Sequence, residues 1–359
     1  MDVVINFFKN AYSKIHQIFN SQKLRRIKDF TRHRLIGFNL TDGIIYKLCV
    51  YIILISISYI YIYPFARMVS YSFMNLNDLL DPTIKWIPKN PTIDNFIVVL
   101  RVLKLPTFDL SHFTSFDAFG KWLGSWGQSS IWNSTWFSLV LALCQTLVSA
   151  LTGYAFARYE FAFKKFWMTM MLLSFVIPIS LLMIPRVMMF SRFQDITGIK
   201  VMGTVNPQII ISLFGQGIYS TVLIIIFTNF FKMIPPVLDE AAKIDGASTL
   251  QVFYHIIIKM SISTITVVLL FSFVWNWNET YITSLFLGSG MATLPRQLGM
   301  FDTLFGQNAG TGPGGEPVNM GETYRMAATF ITIFPLLIIY AFAQRKFIEG
   351  IEQTGITGE

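Results

Sequence analysis

Charge is scarce in this chain. Asp, Glu, Lys and Arg make up 13% of its 359 residues, too little to clothe a water-soluble protein of this length. Cysteine is nearly absent. The two present, Cys49 and Cys144, both stand in apolar runs, which reads as buried thiols and excludes a disulfide framework or a thiolate metal pair. The four histidines are scattered and His255 stands alone, so no ligand cluster and no His-Glu-x-x-His zinc arrangement is expected. No glycine-rich loop ends in Lys-Ser or Lys-Thr, and Gly288-Ser289-Gly290 is too short and lacks the lysine. The chain is therefore not expected to hydrolyse nucleotide. Paired acids are missing from the apolar runs, which weighs against a carrier driven by protons. No catalytic residue, metal ligand or cofactor is expected.

What is there is apolar. Hydrophobic residues reach 53% of the chain, and they gather into long runs, the mark of an all-α polytopic membrane protein. Six transmembrane helices are read, at about Lys47–Phe65, Trp136–Ala157, Phe166–Phe190, Pro207–Phe231, Ile262–Leu287 and Met326–Ala343. Pro64 ends the first. Pro178 and Pro185 lie in the third, where they either bend it along a pathway or simply kink a packing helix. Gly215 and Gly217 in the fourth permit close helix contact or a kink. The net charge of +8 is concentrated near the N-terminus and at span ends, as positive-inside orientation requires, rather than in a nucleic-acid footprint. Both termini are accordingly placed in the cytoplasm.

This divides the chain into a basic segment, 1–46, a six-span domain, 47–347, and a tail, 348–359. Loops 70–130 and 288–323 fall on the outer side. The first segment is not read as a cleavable signal, because Lys23-Leu-Arg-Arg-Ile-Lys28 follows the weak apolar start rather than preceding it. Val3, Ile5, Phe7, Phe8, Ile15, Ile18 and Phe19 either line a helix lying on anionic lipid or belong to a loosely ordered basic tail.

The most polar part of the second half is 235–258, between two spans. Pro235 and Pro236 stop the preceding helix. Asp239 and Glu240 fall in the first turn of a new one, where acids meet the exposed amides. Ala241 and Ala242 carry it, and Lys243 pairs back to Asp239. Gly246 allows a sharp turn. The expected product is a short helix outside the membrane, braced by a span at each end, which suits docking better than catalysis.

Glu240, Ala241, Ala242, Asp245, Gly246 and Ala247, followed by Phe253 and Ile256, resemble the "EAA" loop of ABC importer permeases. Asn133-Ser134, Tyr154-Ala155-Phe156-Ala157-Arg158, Trp275-Asn276 to Glu279 and Gln344-Arg345 to Gly350 are similar to sugar permeases, particularly the maltose-type MalG-like half. The likeness covers roughly 45–359. Lys259 and Ser263 stand where that family usually has prolines, and the stretches 100–130 and 306–320 look enlarged.

The resemblance implies a type I ABC importer permease fold in the cell membrane. It implies one transmembrane subunit of an ATP-driven, binding-protein-dependent importer of sugars or oligosaccharides. The implied partners are a second permease of MalF-like type, two copies of a cytoplasmic ABC ATPase, an extracytoplasmic sugar-binding protein, the sugar itself and membrane lipid, with no nucleic acid. Asp239, Glu240, Ala241, Ala242, Asp245, Gly246 and Ala247 would couple to the ATPase, and Pro235 and Phe253 would pack the loop. Asn133, Trp275, Asn276, Asn278 and Glu279 are candidates for the substrate path, although Asn and Glu equally serve helix packing and Trp the membrane interface. A glycerol-phosphate or polyol substrate stays within the resemblance, and a stand-alone secondary transporter is the alternative of another class.

Overall fold

The computed structural model describes residues 43–107, 115–288, 290–308 and 321–355. The expectations placed on Val3 to Phe19, on most of 306–320 and on the last residues lie outside them. The described secondary structure is helical throughout. Contacts divide the chain between Met68 and Val69.

The first unit contributes most of helix α1, Ile44–Ser72. At 1.5 Å per residue its 29 residues run about 44 Å, more than a bilayer's hydrocarbon core of about 30 Å. Pro64 lies inside this helix. The span was expected to stop there. A proline removes one backbone donor, and in an unbroken apolar run that loss does not end the helix.

The second unit opens with three short helices, α2 (Leu76–Leu80), α3 (Asp94–Val102) and α4 (Phe116–Trp126). Then come α5 (Ser130–Arg158), α6 (Lys164–Val176), α7 (Ile179–Thr197), α8 (Asn206–Leu213), α9 (Ser220–Met233) and α10 (Val237–Ile244). A single turn, α11 (Thr249–Val252), leads through a π-helical turn, Phe253–Ile257, into α12 (Ile258–Met260). Last are α13 (Ile262–Asn278), α14 (Tyr281–Leu287), α15 (Leu294–Gly299), α16 (Phe301–Asn308) and α17 (Glu322–Gly355).

Helices α1, α5 and α17 are each long and apolar enough to cross a membrane alone. Three bent pairs satisfy the same test: α6 with α7 at 100°, α9 with α10 at 73°, and Thr249–Met260 with α13 at 82°. By length and composition that makes three spans, or up to six if each bent pair is one span.

Helix α5 is the central post of the second unit. Gly153 lets α9 approach it closely, for a Cβ added there would come within 2.6 Å of Phe227 Cβ. Around that contact Tyr154, Leu223, Phe227, Phe231 and Val268 form one core. A second core joins α3, α13, α15, α16 and α17 through Val98, Val99, Trp277, Leu294, Phe305 and Ala328.

Three expected spans are interrupted. The third breaks at Ile177-Pro178. Ile177 takes extended angles, as the residue before a proline prefers, and Pro178 starts the next helix. The fourth is two helices, α8 and α9, separated by Phe214–Tyr219, where Gly215 and Tyr219 have φ of +69° and +52°. The fifth divides at Glu279-Thr280, and the Glu279 carboxylate, one residue ahead of the N-cap Thr280, accepts a hydrogen bond from Ile282 N at 2.6 Å and so satisfies a free first-turn amide of α14.

Candidate functional site

The polar stretch after α9 folds into a short helix held on its own subunit by an ion pair. Ile234 is extended ahead of the two prolines, and Pro236 occupies the N-cap of α10. Asp239 turns inward, with Oδ2 3.3 Å from Arg158 Nε and side chains only 11% and 8% exposed. Arg158 Nη2 also donates to the Ile234 carbonyl at 2.7 Å. The last residue of α5 thus fastens both the end of α9 and the start of α10. Asp239 was expected beside Glu240 on the docking surface. It lies instead under α10, because a desolvated guanidinium needs an anion and Asp239 is the one it meets.

Glu240, Ala241 and Asp245 are exposed, and so are Val237 and Ile244. Gly246 is exposed with φ +82°, a left-handed turn that lets Ala247 N donate to the Ala242 carbonyl at 2.9 Å. Ala242, Ala247 and Phe253 pack against the core around Tyr154 and Phe231, and the rings of Tyr154 and Phe253 are 4.9 Å apart. Pro235 is exposed rather than packed. A capping box between Ser248 and Gln251 starts the helix after the turn, a Ser-x-x-Gln spacing that sequence alone could have revealed. The chain bends again at Ser261, whose hydroxyl donates to the Ile257 carbonyl at 2.6 Å. That bend is made with Lys259 and Ser263 on either side, and without proline. Nearby, Lys164 Nζ sits 2.8 Å from Glu160 and holds its carboxyl below the usual carboxylate range.

The residues expected along a substrate path separate into different environments. Asn276 is buried and donates to Gln145 Oε1 at 2.9 Å and to the Ser272 carbonyl at 2.8 Å. The Ser272 hydroxyl donates to the same Gln145 oxygen. This is a polar link between α5 and α13. Asn278 is exposed and donates to the Val274 carbonyl at 3.0 Å. Glu279 lines a cavity of about 720 Å³ beside the α6–α7 bend, together with Trp167, Phe175, Arg186, Gln216 and Tyr219. Trp275 stands behind that wall, its ring 5.0 Å from Tyr219 and stacked on Phe271 at 5.5 Å. Asn133 is elsewhere, near the opposite end of α5 from the docking helix, donating to the Ala292 carbonyl at 3.1 Å.

Arg186 and Gln216 were not anticipated. Arg186 Nη2 donates to Gln216 Oε1 at 3.1 Å. The available signal was a charged residue next to Pro185 inside an apolar run, which by default points to function.

The family model described as "Binding-protein-dependent transport system inner membrane component" matches residues 145–353. The chain belongs to this family. The matched range takes in Gln145, Arg158, the whole docking loop and the cavity wall. This permease is 26% identical over 305 residues to the arabinooligosaccharides transport system permease protein AraQ of Halalkalibacterium halodurans, covering 84% of its own chain and 93% of that relative. It is also 26% identical over 298 residues to the probable starch degradation products transport system permease protein AmyC of Thermoanaerobacterium thermosulfurigenes, covering 83% and 92%. Among solved structures it is similar to a bacterial ABC transporter involved in import of the acidic polysaccharide alginate, with TM-score 0.58, 17% identity and coverage of 84% and 96%. The permease therefore has the ABC importer permease fold and is a multi-pass membrane transport subunit.

Proposed function

We propose that this permease is one of two membrane-spanning subunits of an ATP-driven importer that takes a sugar or oligosaccharide from an extracytoplasmic binding protein. Family membership together with relatives named for arabinooligosaccharide and starch-product transport supports the substrate class. The observation that carries the coupling is α10 itself. It is an eight-residue helix whose acid Asp239 is pinned to Arg158 while Glu240, Ala241 and Ile244 face outward. A helix fixed that way moves with α5 and α9, so a force applied to its outer face reaches the spans.

In this reading two cytoplasmic ATPases close on binding ATP and carry the α10 helices of both permeases with them. The spans then open outward, and hydrolysis returns them. Ala241 permits close approach, Ala242 backs it against the core of its own subunit, and Glu240 anchors the contact. The 720 Å³ cavity is this subunit's part of the path, with Arg186, Gln216 and Glu279 offering polar groups and Tyr219 and Trp167 offering ring faces. The N- and C-terminal segments lie in the cytoplasm, with 70–130 and 288–323 outside.

The test is reconstitution of this permease with its second permease, ATPase and binding protein in vesicles. Labelled oligosaccharide should accumulate inside only with ATP and binding protein both present. Accumulation driven by an ion gradient without the ATPase would replace this reading with a secondary transporter.

A further inference from the structure

Half of the chain's eight tryptophans fall between 122 and 136. Trp122 and Trp126 lie in α4, and Trp132 and Trp136 at the start of α5. Tryptophan gathers at the level of the lipid headgroups, where its ring meets acyl chains and its N–H meets water. Trp132 is 53% exposed, as a belt residue on a membrane-crossing helix would be. The cluster therefore puts the start of α5 at a membrane surface. The other end of α5, at Arg158, holds α10, so this surface is the one away from the docking helix.

Helix α4 has two unlike sides. Phe116, Phe119, Leu123 and Trp126 recur at helical spacing, while Asp117, Lys121 and Ser125 follow one another on the other side. Lys121 Nζ is 2.8 Å from Asp117 Oδ2, and the two side chains are 77% and 78% exposed, as a water-facing pair would be. Leu123 is open at 57% exposure. Trp122 and Trp126 are half-buried, their rings edge-on at 5.8 Å, and Trp122 Nε1 donates to the Thr107 carbonyl at 3.2 Å. The helix is also tied to the span. The Ser129 hydroxyl donates to the Trp126 carbonyl at 2.6 Å and accepts from Trp132 N at 3.3 Å, so one side chain ends α4 and caps α5.

We infer that α4 lies along the membrane surface away from α10 and is seated in lipid. Leu123 and the open edges of Trp122 and Trp126 meet the acyl chains, and Asp117 and Lys121 stay in water. An eleven-residue helix gains little from propensity alone, so its open apolar flank needs a partner. The short, bonded link through Ser129 keeps that flank at the level where the tryptophans gather, and there the partner is the bilayer. Seated so, α4 sets the depth at which α5 begins. The inference needs only that α5 crosses the membrane, and it stands apart from the proposed transport cycle.

The experiment uses the full chain, with the subunits that purify with it, in phosphatidylcholine vesicles. Cys49 and Cys144 are replaced by serine, and Leu123→Cys carries an environment-sensitive fluorophore. An amphipathic helix sits about 5–10 Å into the headgroup and acyl boundary, so lipid brominated near the headgroup end of its chains should cut emission about twofold. Lipid brominated near the chain ends should quench less. The same label on Lys121→Cys should lose emission to iodide, present on both sides of the membrane, and not to brominated lipid. A label at 123 that answers iodide and neither brominated lipid overturns the inference, because the face is then in water. A label shielded from both quenchers also overturns it, because protein then covers the face. A second measurement leaves Leu123 in place. In the Trp122→Phe, Trp126→Phe pair, the tryptophan intensity lost to brominated lipid per mole of protein should fall below that of the natural chain. An equal loss would show that neither indole of α4 meets lipid and would overturn the inference.

Discussion

Arg158 closes α5 and Asp239 opens α10, and their side chains meet with little water around either. Removing one partner of such a pair leaves the other charge buried and uncompensated, at a cost of about 3–5 kcal/mol. Asp239→Ala should therefore lower the melting temperature of the purified permease and abolish ATPase stimulation by loaded binding protein. The double variant Arg158→Met, Asp239→Leu removes both charges and should regain most of the melting temperature. If Asp239→Ala alone melts like the natural protein, the pair is not a structural anchor. Sequence treats Asp239 and Glu240 alike, as two acids in a first turn. Their fates diverge because Arg158 arrives from a distant helix, and no local pattern carries that information. Glu240, with no such partner, stays on the open face. The same limit applied to Asn276, whose bonds to Gln145 and Ser272 link α5 to α13 through a partner that no local pattern reveals.

At the scale of elements, the docking helix was the most legible feature. Pro235-Pro236, the first-turn acids and Gly246 each act locally, so they mark its ends without knowledge of the fold. Gly246 is the sharpest test. A side chain there meets no neighbour within 4 Å, so any effect comes from its backbone angle of +82° alone. An L-residue in that region costs about 1–2 kcal/mol, and a β-branched one more. Gly246→Val should leave the subunit assembled in the membrane and collapse stimulated ATP hydrolysis. Gly246→Asn, which tolerates the left-handed region better, should retain part of it. Normal stimulation in the valine variant would count against the turn as part of the lever. The interrupted spans were less legible. Pro178 announced a disturbance without its size, since a proline either kinks or stops a helix according to what its neighbours can satisfy. The break at Phe214–Tyr219 contains no proline, only Gly215 and Gly217, and those glycines fit close packing equally well. The division at Glu279-Thr280 depends on a carboxylate bonding a first-turn amide of the next helix, a bond that composition read as pathway polarity.

For the whole molecule, hydropathy alone carried the membrane class and a count of spans in keeping with the three to six candidates the structure offers, because a bilayer sets a minimum length for every crossing. The cavity as a whole was not legible, since its lining gathers residues from α5, α6, α7, α9 and the Glu279 break that only the fold brings together, although Arg186 and Glu279 each stood out as a charge in an apolar run. The charge pattern leads to a definite expectation about sidedness. A tag appended to the C-terminus should be digested by protease only in inside-out vesicles. Digestion in right-side-out vesicles would require an odd number of crossings or a reversed insertion.

The claim on which the rest turns is that α10 is a joint with a separate motor. A Glu240→Cys permease, with Cys49 and Cys144 replaced by serine, can be joined by a short bifunctional thiol reagent to whatever lies against that face. The account predicts an adduct with an ATP-hydrolysing subunit whose yield changes when ATP is added. Adducts formed only with lipid, or only within the same polypeptide, would contradict it.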